Sequence, residues 1–300
     1  MYAIIGASGN TGKVVAGKLL AQGEKVRVIG RDAGRLESLV KRGAEAFVAG
    51  VGDAAALTKA FTGAKAVYLM IPPNLGIPNV REDQERVSDA LVAAVQKAGV
   101  EYAVVLSSVG ADKAEKTGPV LGLHSLEQKL NGVAALKAVY LRAGYFMENL
   151  LAQVGIIQNF GVTGGPLRSD LKLAMIATQD IGAVAAEALL KLGFKGKQAR
   201  ELLGQRDLTY LEVASVIGKA ISRPGLGYIQ LGPAQLKPAL TQMGMSSNMA
   251  DLLLEMSEAL NSGYMRALEP RSALNTTPTS IESFVAEHFV PRFTGKAAGA

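Results

Sequence analysis

Four residues, Tyr2–Ile5, run straight into Gly6-Ala7-Ser8-Gly9-Asn10-Thr11-Gly12, and a helix-period segment follows with Val14, Val15, Leu19 and Leu20 on one face. A strand that turns into a helix through glycines at every third position is a narrow structural choice. It brings backbone N–H groups to a helix N-terminus with no Cβ in the way, and the helix dipole adds partial positive charge there. The spacing predicts that Gly6, Ser8, Gly9, Asn10, Thr11 and Gly12 wrap the pyrophosphate of a dinucleotide. It also predicts that the chain continues as a parallel sheet, because a strand–turn–helix unit buries itself only beside others of its kind.

The first half keeps that rhythm. Apolar runs at 25–29, 46–48, 66–71, 102–107 and 137–141 read as strands, and helix-period segments at 33–42, 53–61, 80–98 and 125–130 lie between them. Gly23, Gly43, Gly63 and Gly99 stand where left-handed helix stops belong, and Pro72-Pro73 cannot continue a ladder. The expectation is an α/β fold, a Rossmann-type doubly wound parallel sheet whose ligands lie beyond the carboxyl ends of the strands. The cadence changes after about residue 145. Helices at 148–159, 180–192, 211–221, 233–243, 249–262 and 280–288 are accompanied by short, isolated strands at 200–203 and 228–231. Residues 1–145 are therefore read as the dinucleotide-binding domain. Residues 146–293 form a smaller, mainly helical C-terminal subdomain, partly threaded back into the first, and 294–300 a small, polar, flexible tail.

The end of the second strand bears on which dinucleotide. An acidic residue there bonds the free ribose hydroxyl of NAD, whereas arginine accommodates the 2′-phosphate of NADP. Arg31 holds that place in Val28-Ile29-Gly30-Arg31-Asp32, with Arg35 one turn on. Asp32 reads better as a helix cap, so NADP(H) is expected in preference to NAD(H). Asp53 either reaches the adenine or caps the following helix. Ile71 and Pro72 are expected to wall the adenosine.

Composition removes other chemistries. With no cysteine there are no disulfides, iron–sulfur clusters or thiolate metal sites, and with His124 and His288 alone no metal site is expected. The net charge of +6 is spread without a dense basic block, so no direct nucleic-acid binding is expected. No uncharged apolar stretch reaches the about 18 residues of a membrane span. A first strand beginning at residue 2 leaves no room for a charged leader, so a cytoplasmic protein is expected.

Six segments together resemble the NmrA-like type of atypical short-chain dehydrogenases: GASGNTG at 6–12, VIGRD at 28–32, LSSVGA at 106–111, HSLEQKL at 124–130, LRAGYFMENL at 141–150 and QDIGAVAAEAL at 179–189. The resemblance implies a Rossmann domain with a small C-terminal substrate domain, and NAD(P)H binding. Members of that family include quinone and azo-dye-type reductases, phenolic-ether reductases, and cofactor-sensing regulators that turn nothing over.

Ordinary short-chain dehydrogenases carry a Tyr, and a Lys four residues later, on the helix after strand five. His124 and Gln128 stand in the corresponding places, so the usual acid–base pair is missing. His124 reads either as a proton donor or as a polar residue lining the nicotinamide pocket. Ser107 and its neighbour Ser108 either orient a substrate oxygen or satisfy the strand end. Tyr145, Phe146 and Asn149 follow strand six, where a planar ring could lie on the phenyl face and be fixed by the amide.

Hydride transfer to a quinone leaves an aromatic oxyanion that needs no strong built-in acid. The expected function is therefore an NADPH-dependent oxidoreductase acting on a small conjugated acceptor such as a quinone. The alternative is a non-catalytic NADP(H)-binding redox sensor working through a protein partner. A sugar-nucleotide epimerase is disfavoured by the missing tyrosine. A homo-oligomer stays open.

Overall fold

The computed structural model describes residues 1–295; residues 296–300 of the expected tail lie outside them. In chain order the first half comprises β1 (Tyr2–Ile5), α1 (Asn10–Ala21), β2 (Val26–Gly30), α2 (Glu37–Val40), β3 (Glu45–Val48), α3 (Ala54–Phe61), β4 (Ala66–Leu69), α4 (Val80–Lys97), β5 (Tyr102–Ser108), α5 (Leu121–Asn131) and β6 (Lys137–Ala143). The second half comprises β7 (Tyr145–Phe146), α6 (Gln153–Phe160), β8 (Thr163–Gly165), β9 (Leu173–Ile176), α7 (Thr178–Lys191), β10 (Lys197–Leu202), β11 (Asp207–Leu208), α8 (Tyr210–Ala220), β12 (Tyr228–Gln230), α9 (Pro233–Gln242), α10 (Ser247–Asn261) and α11 (Ile281–Phe284).

The main sheet is parallel, in the order β10-β6-β5-β4-β1-β2-β3. β1 and β4 are buried at every position, as strands covered on both faces must be. On one face Val15 and Leu19 of α1 and Ile181 and Leu189 of α7 pack against Ile4, Val28 and Val104. On the other, Leu57 and Phe61 of α3, Leu91 of α4 and Leu126 of α5 pack against Ile5, Val67 and Val105. α4 starts cleanly because the Asn79 side chain accepts from the Glu82 N–H at 3.2 Å.

Several segments differ from the sequence expectation: β7, β8, β9 and β11 have no counterpart in it, and the strand expected to be isolated at 228–231 is β12, paired with β8. The expected isolated strand at 200–203 is the end of β10, the seventh strand of the main sheet, paired with β6 from Lys197↔Ala138 to Leu202↔Ala143. Its first four residues are not buried, and only Glu201 and Leu202 are. A polar edge strand carries almost no apolar signal. The expected helix at 33–42 is a tight turn at Gly34–Leu36 followed by the short α2.

α7 lies on the sheet beside α1, although it follows the change of cadence. A Cβ at Gly182 would stand 2.6 Å from the Val14 Cβ and 2.9 Å from the Thr11 carbonyl oxygen, so the absence of a side chain sets the helix separation. The N-terminus of α7 is tied down from two directions. Glu148 accepts from the Thr178 N–H at 2.9 Å, and Asp180 accepts from the N–H and hydroxyl of Thr279 at 3.0 and 2.7 Å.

The remaining elements form a second body of β7, β9 and β11, β8 with β12, and flanking helices. Its core includes Met147, Leu150, Ile157, Met175, Val213 and Phe284. α10 closes over the carboxyl edge of the main sheet. Leu252 and Met249 pack on Val80 after β4, and Ala259 packs with Ala111 and Val120 after β5. Among the described residues no helix is long and apolar enough to cross a membrane.

The α1–α7 contact makes a direct prediction. Gly182→Val lowers stability by about 1–3 kcal/mol, seen as a lower urea midpoint at unchanged slope. Gly155→Ala, whose Cβ meets nothing within 4 Å, leaves the midpoint unchanged or raises stability by up to about 1 kcal/mol.

Candidate functional site

The turn after β1 is built by sterics. Gly6 has φ +66°, and a Cβ there would lie 2.4 Å from the Met70 sulfur. A Cβ at Gly12 would lie 2.3 Å from the Gly6 carbonyl oxygen. The turn closes with the Gly9 N–H on the Gly6 carbonyl at 2.8 Å. Gly9 is the N-cap of α1 and brings no side chain to its first turn, so the positive end of the helix keeps free donors. That end stands where the strand order reverses between β1 and β4. The geometry is a cradle that side chains would fill and that phosphate oxygens fit.

Ser8 is half-buried at this turn, and Gly9 and Asn10 are exposed. Thr11 differs. Its hydroxyl accepts from the buried Tyr68 phenol at 2.9 Å, which fixes the side chain against β4 and keeps its own O–H as a donor. Burial of Tyr68 pushes its phenol well above the ordinary tyrosine range, so it stays a neutral donor.

Beyond the turn lies a cleft of about 350 Å³. Its floor is the loop from Gly50 to Asp53, and Arg31, Pro72, Pro73, Asp83 and Arg86 stand around it. Arg31 is exposed and has no carboxylate partner among the described residues. Asp32 accepts from the Gly34 N–H at 2.8 Å and so belongs to the turn. Asp53 lines the cleft and also caps α3 through the Ala56 N–H at 2.9 Å. Pro72 is on the wall, whereas Ile71 packs into the core behind it.

At the other end of the sheet edge, the Ser107 hydroxyl is already engaged. It donates to Glu127 of α5 at 2.6 Å, and both residues are buried. Arg142 of β6 grips the same carboxylate with Nε at 3.1 Å and Nη2 at 2.6 Å. These bonds hold the guanidinium charged. They join β5, α5 and β6 through one buried ion pair.

His124 lies one turn earlier on α5, its Nδ1 2.8 Å from the Ala111 carbonyl oxygen. A carbonyl only accepts, so Nδ1 carries a proton and Nε2 is the ring nitrogen left for a neighbouring group. Gln128 is exposed, and Ser108 donates to the Val109 carbonyl at 2.9 Å.

The three residues after β6 do not make one surface. Tyr145 packs with the core of the second body, whereas Phe146 packs with the α1/α7 side of the sheet, as alternation along a strand requires. The Tyr145 phenol accepts from Tyr210 at 3.0 Å. Burial pushes its pKa up, and hydrogen bonds from Tyr210 and the exposed Asn149 pull the other way.

Glu127, Arg142 and Arg86 were not identifiable as site residues from motif spacing. Arg142 had one signal, a full charge directly after the apolar run Ala138-Val139-Tyr140-Leu141 and before Ala143. A charge in a buried strand requires a partner.

A family model described as the NmrA-like family matches residues 2–285. The NAD(P)H azoreductase of Xenophilus azovorans is 29% identical over 280 residues, covering 93% of this chain and 92% of its own. Quinone oxidoreductase 2 of Escherichia coli strain K12 is 29% identical over 268 residues, covering 88% and 89%. The crystal structure of an Escherichia coli NADPH-dependent quinone oxidoreductase complexed with NADPH superposes with a TM-score of 0.81 at 25% identity, over 96% of this chain and 100% of that one.

The buried ion pair yields a test of its own. Arg142→Met strands the Glu127 carboxylate and lowers stability by about 3–5 kcal/mol in urea unfolding. Adding Glu127→Leu recovers most of that loss, because an apolar pair of similar volume replaces the charges.

Proposed function

The chain belongs to the NmrA-like family, and on that premise we propose that it is an NADPH-dependent oxidoreductase passing hydride to a small, planar, conjugated acceptor such as a quinone. The observation that carries this reading is the cradle at Gly6–Gly12: a left-handed glycine, a glycine no side chain could replace, and an uncapped helix N-terminus at the switch point of the sheet. The azoreductase and quinone oxidoreductase relatives, each matching most of the chain, support the redox part.

The bound nicotinamide would supply the hydride; the protein binds, orients and handles the proton. Gly6, Ser8, Gly9, Asn10, Thr11 and Gly12 hold the pyrophosphate, chiefly through main-chain N–H groups. Arg31, free of a carboxylate, takes the 2′-phosphate, and Asp53 and Pro72 flank the adenosine with Ile71 behind. Tyr145 and Asn149 bound the acceptor on one side and Phe146 on the other.

Hydride addition to a quinone carbonyl system gives a hydroquinone monoanion. One proton, from protonated His124 or from water beside it, completes the hydroquinone. The aromatic ring stabilises that oxyanion, so the step tolerates His124 and Gln128 where a Tyr/Lys pair would otherwise stand. Ser107 acts indirectly, by fixing α5 through Glu127.

One observation favours the second reading, a cofactor sensor that acts through a protein partner. The Ser107 hydroxyl and His124 Nδ1 are both bonded within the protein, which leaves few free groups for chemistry.

Following NADPH absorbance with a panel of quinones separates the two. Turnover is expected, and His124→Ala lowers kcat by about a hundredfold or less, the lower range for general acid–base groups. Oxidation of NADPH by no acceptor, alongside tight NADP binding, leaves the sensor reading in its place.

Arg31→Asp weakens NADPH binding by about 10–100-fold, the equivalent of losing charge-assisted hydrogen bonds, with NADH little affected. An unchanged preference between the two dinucleotides removes Arg31 from the 2′-phosphate.

A further inference from the structure

The second arginine of the cleft has no counterpart in the sequence motifs. We propose that Arg86 of α4 faces Arg31 as the other half of a two-arginine clamp for a 2′-phosphate, and so determines selection of NADP(H) over NAD(H). The inference rests on the dinucleotide reading above and concerns this one subsite.

Three features point to it. Arg31 and Arg86 line the same cleft of about 350 Å³, with the Gly50–Asp53 loop between β3 and α3 as its floor. Arg86 is drawn over that floor: a Cβ on Gly52 would stand 1.5 Å from Arg86 Nη1, so only glycine admits the guanidinium. The guanidinium is also held from behind, because its Nη2 lies 2.5 Å from an oxygen of Asp83, which is itself only 12% exposed. An arginine anchored by one edge keeps its other N–H groups for a ligand and loses little side-chain freedom on binding.

The formal charges of the lining balance, Arg31 and Arg86 against Asp53 and Asp83, but the four groups are not equally available to a ligand. Asp53 is engaged by the Ala56 N–H and Asp83 by Arg86, so both carboxylates already have partners inside the protein. Arg31 has none. The donors left for a ligand are therefore the guanidinium N–H groups of Arg31 and the unpaired edge of Arg86. A phosphomonoester, carrying about two negative charges and three acceptor oxygens near neutral pH, matches two guanidinium groups. A neutral ribose hydroxyl gains little from the second one.

Calorimetric titration of the full-length protein with 2′,5′-ADP and with 5′-AMP tests this without a nicotinamide, an acceptor or turnover. The two nucleotides differ only in the 2′-phosphate. Wild type is expected to bind 2′,5′-ADP the more tightly. Arg86→Gln weakens 2′,5′-ADP by about tenfold, one charge-assisted interaction, and leaves 5′-AMP within about twofold. Asp83→Asn, which unties the guanidinium but keeps it, gives a smaller loss of the same selectivity. Arg86→Lys, a charge without the fork, falls between wild type and Arg86→Gln.

Equal weakening of both nucleotides by Arg86→Gln means that Arg86 stacks on the adenine and overturns the clamp. So does no weakening of either, or a wild type that does not distinguish the two. A protein that shows the selectivity yet oxidises no NADPH keeps the clamp and loses the oxidoreductase reading.

Discussion

The close approaches at Gly6, Gly12 and Gly182, to the Met70 side chain, the Gly6 carbonyl and α1 respectively, are the constraint on which the rest of the molecule depends. Gly12 presses α1 against the carbonyl of the β1 turn, and Gly182 lets α7 reach α1 on its far side. Each contact is shorter than any side chain permits. Their joint effect is to aim the first turn of α1 at the sheet's switch point and to hold it there. The cradle proposed for a phosphate is thus a by-product of packing: the N–H groups are free because the glycine N-cap brings no side chain, and the dipole is oriented by the packing of α1.

A second layer of order comes from polar groups buried in matched sets. Glu127 receives Ser107 and both edges of the Arg142 fork, and in doing so fixes α5 to the two strands beneath it. Glu148 and Asp180 do the same for α7, tying it to the segment after β6 and to the strap at Thr279. Segments that carry the family resemblance are here chiefly structural. Their polar residues cap and cross-link the elements that surround the carboxyl edge of the sheet. A buried carboxylate with no partner would destabilise the fold, so these positions are coupled pairs rather than independent choices.

The two ends of the site are built on different principles. At the end proposed for adenosine, loops leave an open cleft lined by Arg31, Asp53, Asp83 and Arg86. At the end proposed for the acceptor, α10 lies across the loops after β4 and β5, and the polar groups are held by internal hydrogen bonds. Tyr145 and Phe146 are adjacent in sequence but belong to different cores, so the short β7 is a seam between the sheet and the second body.

Much of the first half was legible in the chain itself. Alternation of apolar runs with helix-period segments is a local property, and glycine spacing around Gly6–Gly12 reports a steric requirement that few other arrangements share. Arg31 could be placed because the end of β2 is fixed by counting from the strand. What the sequence could not show is how distant segments meet. β10 presents a polar edge, so its membership in the main sheet depends on pairing with β6 rather than on its own pattern. Glu127, Arg142 and Ser107 are separated along the chain and become one group only because β5, α5 and β6 are neighbours. Arg86 meets Arg31 only through the cleft between α4 and the β3–α3 loop. Backbone conformation and helix period are written in short stretches of residues, whereas charge pairing and cavity shape arise from packing between elements, which tertiary structure alone decides.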